Sequence, residues 1–183
     1  MVLVRALGTS CSRYPVVAMA IFPIRTFGDP VLRTPAKPVE EIDDKIRTLV
    51  EDMIETMYDA PGVGLAAPQI GVSLRIAVFD AGDGLGARTM INPVLVETAG
   101  EWEFEEGCLS VPGYWWNIER PAYAKIEALN EDGEEVVYEG EELMGRVLQH
   151  EYQHLEGILI IDQLSRRERK KVLKELSEQA LGL

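Results

Sequence analysis

The sequence predicts an α+β fold in which antiparallel β-sheets pack around one central helix, with a further helix near each end. Two observations predict this arrangement. Apolar residues recur at spacings of three and four in three separate segments, which is the period of a helix. Between the first two of these segments, short runs of alternating apolar and polar residues are separated by turn signals, a pattern typical of strands.

Composition limits the chain to a globular class and excludes several kinds of partner. The chain has 183 residues, of which 46% are hydrophobic and 27% are charged, values typical of one globular domain. Its 31 acidic and 18 basic residues give a net charge of −13. This balance argues against DNA and anionic membranes as partners, because recognition of phosphate groups needs clustered Lys and Arg. No apolar run approaches the roughly 20 residues of a transmembrane helix.

Residues 1–18 differ from the rest of the chain, and we place the single folded domain at residues 19–183. The N-terminal segment has two arginines, several Ser and Thr residues and no acidic residue. Three interpretations are open: a mis-assigned start with Met19 as initiator, a disordered extension, or an organellar transit peptide. The first is favoured, and with it the bacterial cytoplasm over an organelle. The two cysteines, Cys11 and Cys108, give no disulfide framework and indicate a reducing compartment.

The first predicted helix covers residues 42–58. Its apolar residues form one stripe that predicts packing against a core: Ile42, Ile46, Leu49, Met53 and Met57. The helix is expected to end before the Pro61-Gly62 pair, which is a stop signal. A glycine- and alanine-rich loop follows at residues 62–71.

The strands and the remaining helices follow this loop. Strands are predicted at residues 74–80, 89–97, 122–129 and 135–138, with a short extended piece within 102–112. The last two strands are joined by residues 130–133 (NEDG), a hairpin signal. A central helix is predicted over residues 141–155 and a C-terminal amphipathic helix over 165–181, with Ser165 as its N-cap.

The strongest chemical signal is the sequence His150-Glu151-Tyr152-Gln153-His154 in the central helix. Residues four apart lie on one face of a helix, so the two imidazoles can bind one metal ion. Glu151 lies beside them and is placed to act as a general base. The chain has two histidines, and both are in this motif.

A catalytic metal site usually has three protein ligands and one open position, so a third ligand is needed. The metzincin pattern is excluded, because Ile160 stands where its third histidine belongs. Cys108, in the segment EGCLS, is the favoured candidate, and a Cys-His-His site accepts Zn(II) or Fe(II). An acidic residue of the C-terminal helix is the alternative, as in a zinc endopeptidase: Glu168, Glu175 or Glu178.

Three motifs of the chain resemble those of the peptide deformylase family. That family has GxGxAAxQ, EGCLS and HExxH in this order, and the chain has GVGLAAPQ at residues 62–69, EGCLS at 106–110 and HEYQH at 150–154. The similarity runs from about Phe27 to Ser165. It implies a metal-dependent hydrolase that removes the formyl group from the N-terminal formyl-methionine of newly synthesised polypeptides and releases formate.

The resemblance also implies roles for individual residues. Cys108, His150 and His154 hold one divalent ion, Fe(II) by preference and Zn(II) or another divalent metal as the alternative, with Glu151 as general base. The Gln69 side-chain amide and the Leu109 backbone N–H stabilise the developing oxyanion. We expect four residues to form the walls of the methionine pocket and a fifth to pair with the peptide backbone: Val63, Phe104, Leu143 and Val147, and Gly64.

Two residues stand out within this resemblance. Gln153 occupies a position that is commonly acidic in the family. Because Gln153 carries no charge, its contacts around the metal site do not follow from the resemblance. Arg146 lies between two expected pocket residues, and we expect its aliphatic stem to line the pocket with its charge in solvent.

Two further questions concern partners and rival functions. The C-terminal helix has clustered basic residues that suggest docking on the ribosome, although a solvated helix face is the favoured interpretation: Arg166, Arg167, Arg169, Lys170, Lys171 and Lys174. A family member that only binds formylated peptides, or that holds a structural metal, is the non-enzymatic alternative. The presence of both Glu151 and Gln69 weakens it, because a closed structural site needs neither.

Overall fold

A computed structural model describes residues 20–180 of the chain, so the expectations for residues 1–18 lie outside the described range. The helices of this range are α1 (Asp44–Asp59), α2 (Glu142–Leu155) and α3 (Arg166–Ala180). The strands are β1 (Gly64–Ala66), β2 (Ile76–Phe79), β3 (Arg88–Ala99), β4 (Trp102–Gly107), β5 (Trp115–Arg120), β6 (Tyr123–Leu129) and β7 (Glu135–Gly140). Short 3-10 helices occur at Pro30–Arg33, Ala67–Ile70 and Ile160–Asp162. No helix within residues 20–180 combines the length and the apolar character needed to cross a membrane.

Five strands form one antiparallel sheet in the order β1-β2-β3-β6-β7, and β4 pairs with β5 in a separate two-stranded sheet. Successive residues of β2 point to opposite faces of the sheet. Ile76 and Val78 therefore contribute to a core on one side, which α1 covers through Met53 and Met57. On the other side, Phe79 lies in a core that α2 covers through buried apolar side chains.

Helix α2 lies between the large sheet and the β4–β5 sheet. Its apolar face contributes Val147, Leu148 and Leu155 to the core against the large sheet. Its opposite side reaches the β4–β5 sheet through polar contacts, including hydrogen bonds from Arg146 and His150 to Glu106 of β4. This enclosed position gives α2 the geometry to present side chains to a buried site.

The predicted α+β class, with antiparallel sheets around a central helix, is confirmed. The prediction of a loop at residues 62–71 is wrong in part, because this segment contains β1 and a 3-10 helix. Three residues are too few to show an alternating pattern, and β1 exists because β2 supplies its hydrogen-bond partners.

Strand β5 was not expected from the sequence. Its inward-facing positions are Ile118 and Arg120, so a charged residue stands where alternation requires an apolar one. Arg120 tolerates this burial because it forms an ion pair with Glu106 on the paired strand β4. A pairing across 14 residues is not visible in the local sequence.

Candidate active site

Helix α2 brings two imidazoles together on one face. His150 and His154 are one helical turn apart, and their Nε2 atoms are 3.2 Å from each other. The Cys108 Sγ atom lies 3.2 Å from His154 Nε2. The ligand atoms of these three residues all lie within 4.8 Å of one another. They are therefore close enough to bind one ion.

Cys108 reaches this position from the end of β4. The backbone turns directly after it, where the Val111 N–H donates to the Cys108 carbonyl at 2.9 Å. Gly107 precedes it, and a Cβ atom at that position would come within 3.0 Å of the Trp115 ring. A glycine at residue 107 thus lets the strand pass beneath Trp115 and deliver Cys108 to the two histidines.

Glu106 orients one of these histidines. Its carboxylate accepts a hydrogen bond from His150 Nδ1 at 2.6 Å, which leaves Nε2 directed at Cys108 and His154. Arg120 donates to the same carboxylate from Nε at 2.9 Å and from Nη2 at 2.6 Å. Arg146 Nη1 donates to it at 2.7 Å. The orientation of His150 is therefore fixed by a buried carboxylate that two arginines hold in place.

The charges of the cluster favour a cation. Burial alone would raise the pKa of Glu106, but the hydrogen bonds from His150 and Arg120 hold it well below its usual range. Burial would likewise raise the pKa of Cys108, yet the nearby His154 and His150 lower it well below that of a free thiol. Burial would lower the pKa of His150, whereas Cys108 and Glu106 raise it to about 10. A thiolate and two imidazoles in this field are a donor set that fits a divalent metal ion.

Glu151 is buried beside this cluster. Its side chain is 3% exposed, and Oε2 has no hydrogen-bond partner among residues 20–180. Burial raises the pKa of Glu151 above its usual value. A buried carboxylate oxygen without a partner is costly, so its presence here indicates a role with a ligand or a reacting group.

Gln69 is held with its amide nitrogen toward the cluster. Its Oε1 atom accepts a hydrogen bond from the Ala66 N–H at 2.8 Å, which fixes the orientation of the amide. Nε2 donates to Ser110 Oγ at 3.2 Å and lies 3.9 Å from Cys108 Sγ. Leu109 directly follows Cys108. The structure therefore brings Glu151, Gln69 and Leu109 together with the three ligand candidates.

A cavity of about 500 Å³ opens onto this cluster. Cys108, His150, Glu151 and Gln69 all contribute to its lining. The five residues that the sequence placed around a substrate also line it: Val63, Gly64, Phe104, Leu143 and Val147.

The expectation that the charge of Arg146 lies in solvent is wrong. Arg146 is 4% exposed, and its guanidinium group pairs with Glu106 inside the protein. Gln153 keeps a polar partner despite having no charge, since its Oε1 atom accepts a hydrogen bond from Arg120 Nη1 at 2.8 Å. At a position that is commonly acidic in the family, the amide oxygen of Gln153 therefore accepts the hydrogen bond of an arginine.

The acidic alternatives for the third ligand are not part of the cluster. Among the described residues, the group of His, Cys, Asp and Glu side chains that is compact enough for an ion contains Cys108, not an acid of α3. Glu175 and Glu178 instead form ion pairs with Lys171 and Lys174 along α3. The geometry therefore gives no support to the endopeptidase ligand set.

The sequence analysis gave no role to Glu106 or Arg120, although the position of Glu106 in the sequence could have indicated one. Glu106 is two residues before Cys108, and alternate residues of an extended strand point to the same side. A carboxylate on the same side as a metal-ligand candidate is a candidate partner for a ligand histidine. Arg120 left no such signal, because its contact depends on the pairing of β4 with β5.

Comparison with known proteins places this geometry in a family. A family model described as polypeptide deformylase matches residues 21–170. A peptide deformylase of Acidothermus cellulolyticus is 50% identical over 160 residues, which cover 87% of this chain and 88% of that protein. Peptide deformylase 1 of Clostridium acetobutylicum is 49% identical over 150 residues, covering 82% of this chain and 99% of the relative. The crystal structure of a peptide deformylase from Legionella pneumophila matches with a TM-score of 0.82 at 46% identity, covering 88% of this chain and 96% of that one.

Proposed function

The chain belongs to the peptide deformylase family, which hydrolyses the formyl amide of the N-terminal formyl-methionine on newly synthesised polypeptides, and we propose that Glu151 is its general base. The observation that carries this assignment is the buried Glu151 carboxylate, whose Oε2 has no hydrogen-bond partner within residues 20–180. It lies at the wall of the cavity that Cys108 and His150 also line, and His154 contacts both of those residues. The raised pKa of Glu151 makes it a better proton acceptor than an exposed carboxylate.

Cys108, His150 and His154 are the residues that would hold the metal ion. A divalent ion bound there supplies Lewis-acid activation of the attacking water molecule. We propose Fe(II) as the native ion, as the family resemblance implies, with Zn(II) or another divalent metal as the alternative. A Cys-His-His donor set accepts both Fe(II) and Zn(II). The Cys108 thiolate donates electron density strongly, so the reaction rate should depend on which ion is present.

Groups of the protein transfer the proton and stabilise the negative charge that develops on the formyl oxygen. Glu151 takes a proton from the attacking water and passes it to the amino group as the formyl carbon–nitrogen bond breaks. The Gln69 amide nitrogen and the Leu109 backbone N–H donate hydrogen bonds to the formyl oxygen as it gains negative charge. The hydrogen bond from Ala66 to Gln69 supports this role, because it prevents the amide from presenting its oxygen instead.

The substrate is the formylated end of a nascent polypeptide. Its methionine side chain occupies the cavity beside Val63, Phe104, Leu143 and Val147. The backbone that follows pairs with Gly64, because β1 is the edge strand of the five-stranded sheet. Since the relatives reported above are bacterial, the bacterial cytoplasm is the proposed place of this reaction.

The decisive experiment measures formate release from a formyl-Met tripeptide by anaerobically purified protein, loaded with Fe(II) or with Zn(II). We expect release by the wild type, a loss of about 10²-fold or more in Glu151→Gln, and unequal rates for the two ions. Glu142→Gln is the matched control, because Glu142 is an exposed acid on the same helix. Metal-loaded wild type without formate release would contradict the function, and equal rates would contradict the argument about the thiolate.

Contact with the ribosome is a separate proposal, supported by the basic residues of α3. Arg169, Lys171 and Lys174 form ion pairs with acidic neighbours, which favours a solvated helix face. The docking proposal therefore depends on Arg166, Arg167 and Lys170. Replacing these three by Glu should abolish co-sedimentation with bacterial ribosomes at low salt if α3 docks there. Unchanged co-sedimentation, or none by the wild type, would leave α3 as a solvated face.

A further inference from the structure

Arg146 is a buried arginine that ties the central helix to both strands of the smaller sheet. Its Nη2 atom donates to the Trp102 carbonyl of β4 at 2.6 Å. Its Nη1 atom donates to the Ile118 carbonyl of β5 at 3.1 Å and to the Glu106 carboxylate of β4 at 2.7 Å. One guanidinium group thereby fixes the position of β4 and β5 relative to α2.

The same guanidinium group lies against two aromatic rings of β4. Its central carbon is 4.8 Å from the centroid of the Trp102 ring and 5.7 Å from that of Phe104. The two rings are stacked on each other, with centroids 4.7 Å apart. Phe104 remains 46% exposed and lines the cavity, as does Arg146 itself. The position of this cavity wall is therefore set by the contact between Arg146 and the two rings.

Pairing with Glu106 does not explain why Arg146 is present. Arg120 already donates two hydrogen bonds to that carboxylate, and His150 donates a third. In addition, Arg146 Nε is buried without a hydrogen-bond partner among the described residues, which costs stability. A buried ion pair with such a cost is weak evidence for a purely stabilising role.

We propose that Arg146 is a positioning residue that determines which N-terminal side chains the enzyme accepts. It holds the Trp102–Phe104 wall at a fixed distance from α2 and thereby keeps the cavity at a width that suits an unbranched side chain. The inference rests on the proposed function, because it takes the cavity to be the pocket for the residue that bears the formyl group.

The test compares two formylated tripeptides that differ only in their first residue, Met or Phe. The ratio of their kcat/KM values, measured on one metal-loaded preparation, does not depend on the fraction of protein that holds metal. We expect this ratio to fall about tenfold in Arg146→Met, the order of effect that a small change in an apolar pocket has on selectivity. Arg146→Lys should show a similar fall, because a lysine keeps the charge but loses the planar, bridging guanidinium group.

Arg120→Lys is the matched control, since Arg120 also binds Glu106 but is not among the residues that line the cavity. It should lower overall activity and leave the ratio within about twofold. An equal fall in Arg120→Lys would overturn the proposal, because Arg146 would then act through Glu106. An unchanged ratio in Arg146→Met with a native circular dichroism spectrum would overturn it as well.

A double-mutant cycle covers the case in which Arg146→Met does not fold. If Arg146 acts through the Phe104 ring, Arg146→Lys should lower the ratio of the kcat/KM values for the Met and Phe peptides in the wild-type background. In the Phe104→Ala background it should have little further effect on that ratio. Additive effects would contradict the proposal. Absence of formate release by wild type would overturn the proposed function and this inference with it, whereas the other outcomes concern Arg146 alone.

Discussion

At the scale of single residues, Gly64 takes part in the site through its lack of a side chain. A Cβ atom placed on Gly64 would overlap the Glu151 carboxylate, with the Glu151 Cδ atom only 2.7 Å away. The space left by the absent methyl group is therefore the space in which the proposed general base lies. A glycine here permits close approach of the backbone to a reacting group.

Gly64→Ala should lower kcat because the methyl group displaces Glu151. A shift of about 1 Å in a catalytic group can cost on the order of 10²-fold in rate. We expect a loss of between about 10-fold and 10²-fold in formate release, with metal content unchanged, since the three atoms nearest to this methyl group all belong to Glu151. Steady-state kinetics and metal analysis of the same preparation check this. A variant with full activity would contradict the prediction that the methyl group displaces Glu151 from its reactive position.

Glu106 shows how much one side chain can organise. It accepts hydrogen bonds from His150, Arg120 and Arg146, three residues from two different elements. The pairing of a carboxylate with a ligand histidine fixes which ring nitrogen faces the ion. The sequence EGCLS thus supplies both the proposed sulfur ligand and the group that orients a proposed histidine ligand.

At the scale of elements, α2 closely approaches the start of β6 and the end of β7 because of Gly145. A Cβ atom at this position would lie 2.7 Å from the Ala122 carbonyl oxygen and 2.7 Å from that of Gly140. Both are backbone atoms, which cannot rotate away as the end of a side chain can. The glycine therefore determines how near the helix that bears the histidines lies to the sheet.

Gly145→Ala should destabilise the protein although alanine favours a helix. The gain in helix propensity is about 1 kcal/mol, while overpacking against fixed atoms costs about 1–3 kcal/mol. We expect the free energy of unfolding to fall by up to about 2 kcal/mol, measured by urea denaturation. Glu55→Ala, at an exposed position inside α1, should change it by no more than about 0.5 kcal/mol. A more stable Gly145→Ala variant would contradict the close approach.

At the scale of the whole molecule, the proposed ligands join two layers of the fold. His150 and His154 belong to α2, which is packed on the large sheet, whereas Cys108 follows β4 of the smaller sheet. A bound ion would connect these layers across the cavity. Ion binding is therefore expected to stabilise the native state as well as to support the reaction.

Removal of the metal by a chelator should lower the melting temperature. Binding at 100 times the dissociation constant contributes about 2.7 kcal/mol, which corresponds to a shift on the order of 5–10 °C for a chain of this length. Differential scanning calorimetry with and without chelator measures the shift. Cys108→Ala should show no shift, because it lacks the third ligand. A shift of equal size in that variant would place the ion elsewhere.

What the sequence determines by itself follows from local spacing. The apolar period predicts α1, α2 and α3, the hairpin signal predicts the pairing of β6 with β7, and HExxH on a helix predicts two imidazoles on one face. These features depend on residues within a few positions of one another. The need for a third ligand beside HExxH favoured Cys108, and resemblance to family motifs then added the roles of Gln69, Leu109 and the pocket residues as expectations.

Only the tertiary structure decided the contacts between distant residues. Arg146 and Glu106 are 40 residues apart, and Arg120 and Gln153 are 33 apart. From the sequence, Arg146 was expected to point to solvent, because a single arginine gives no indication that a buried carboxylate will face it. Burial of a charge is tolerated only when a partner offsets its desolvation cost. The partner is brought there by the pairing of β4 with β5 and the packing of α2 against them.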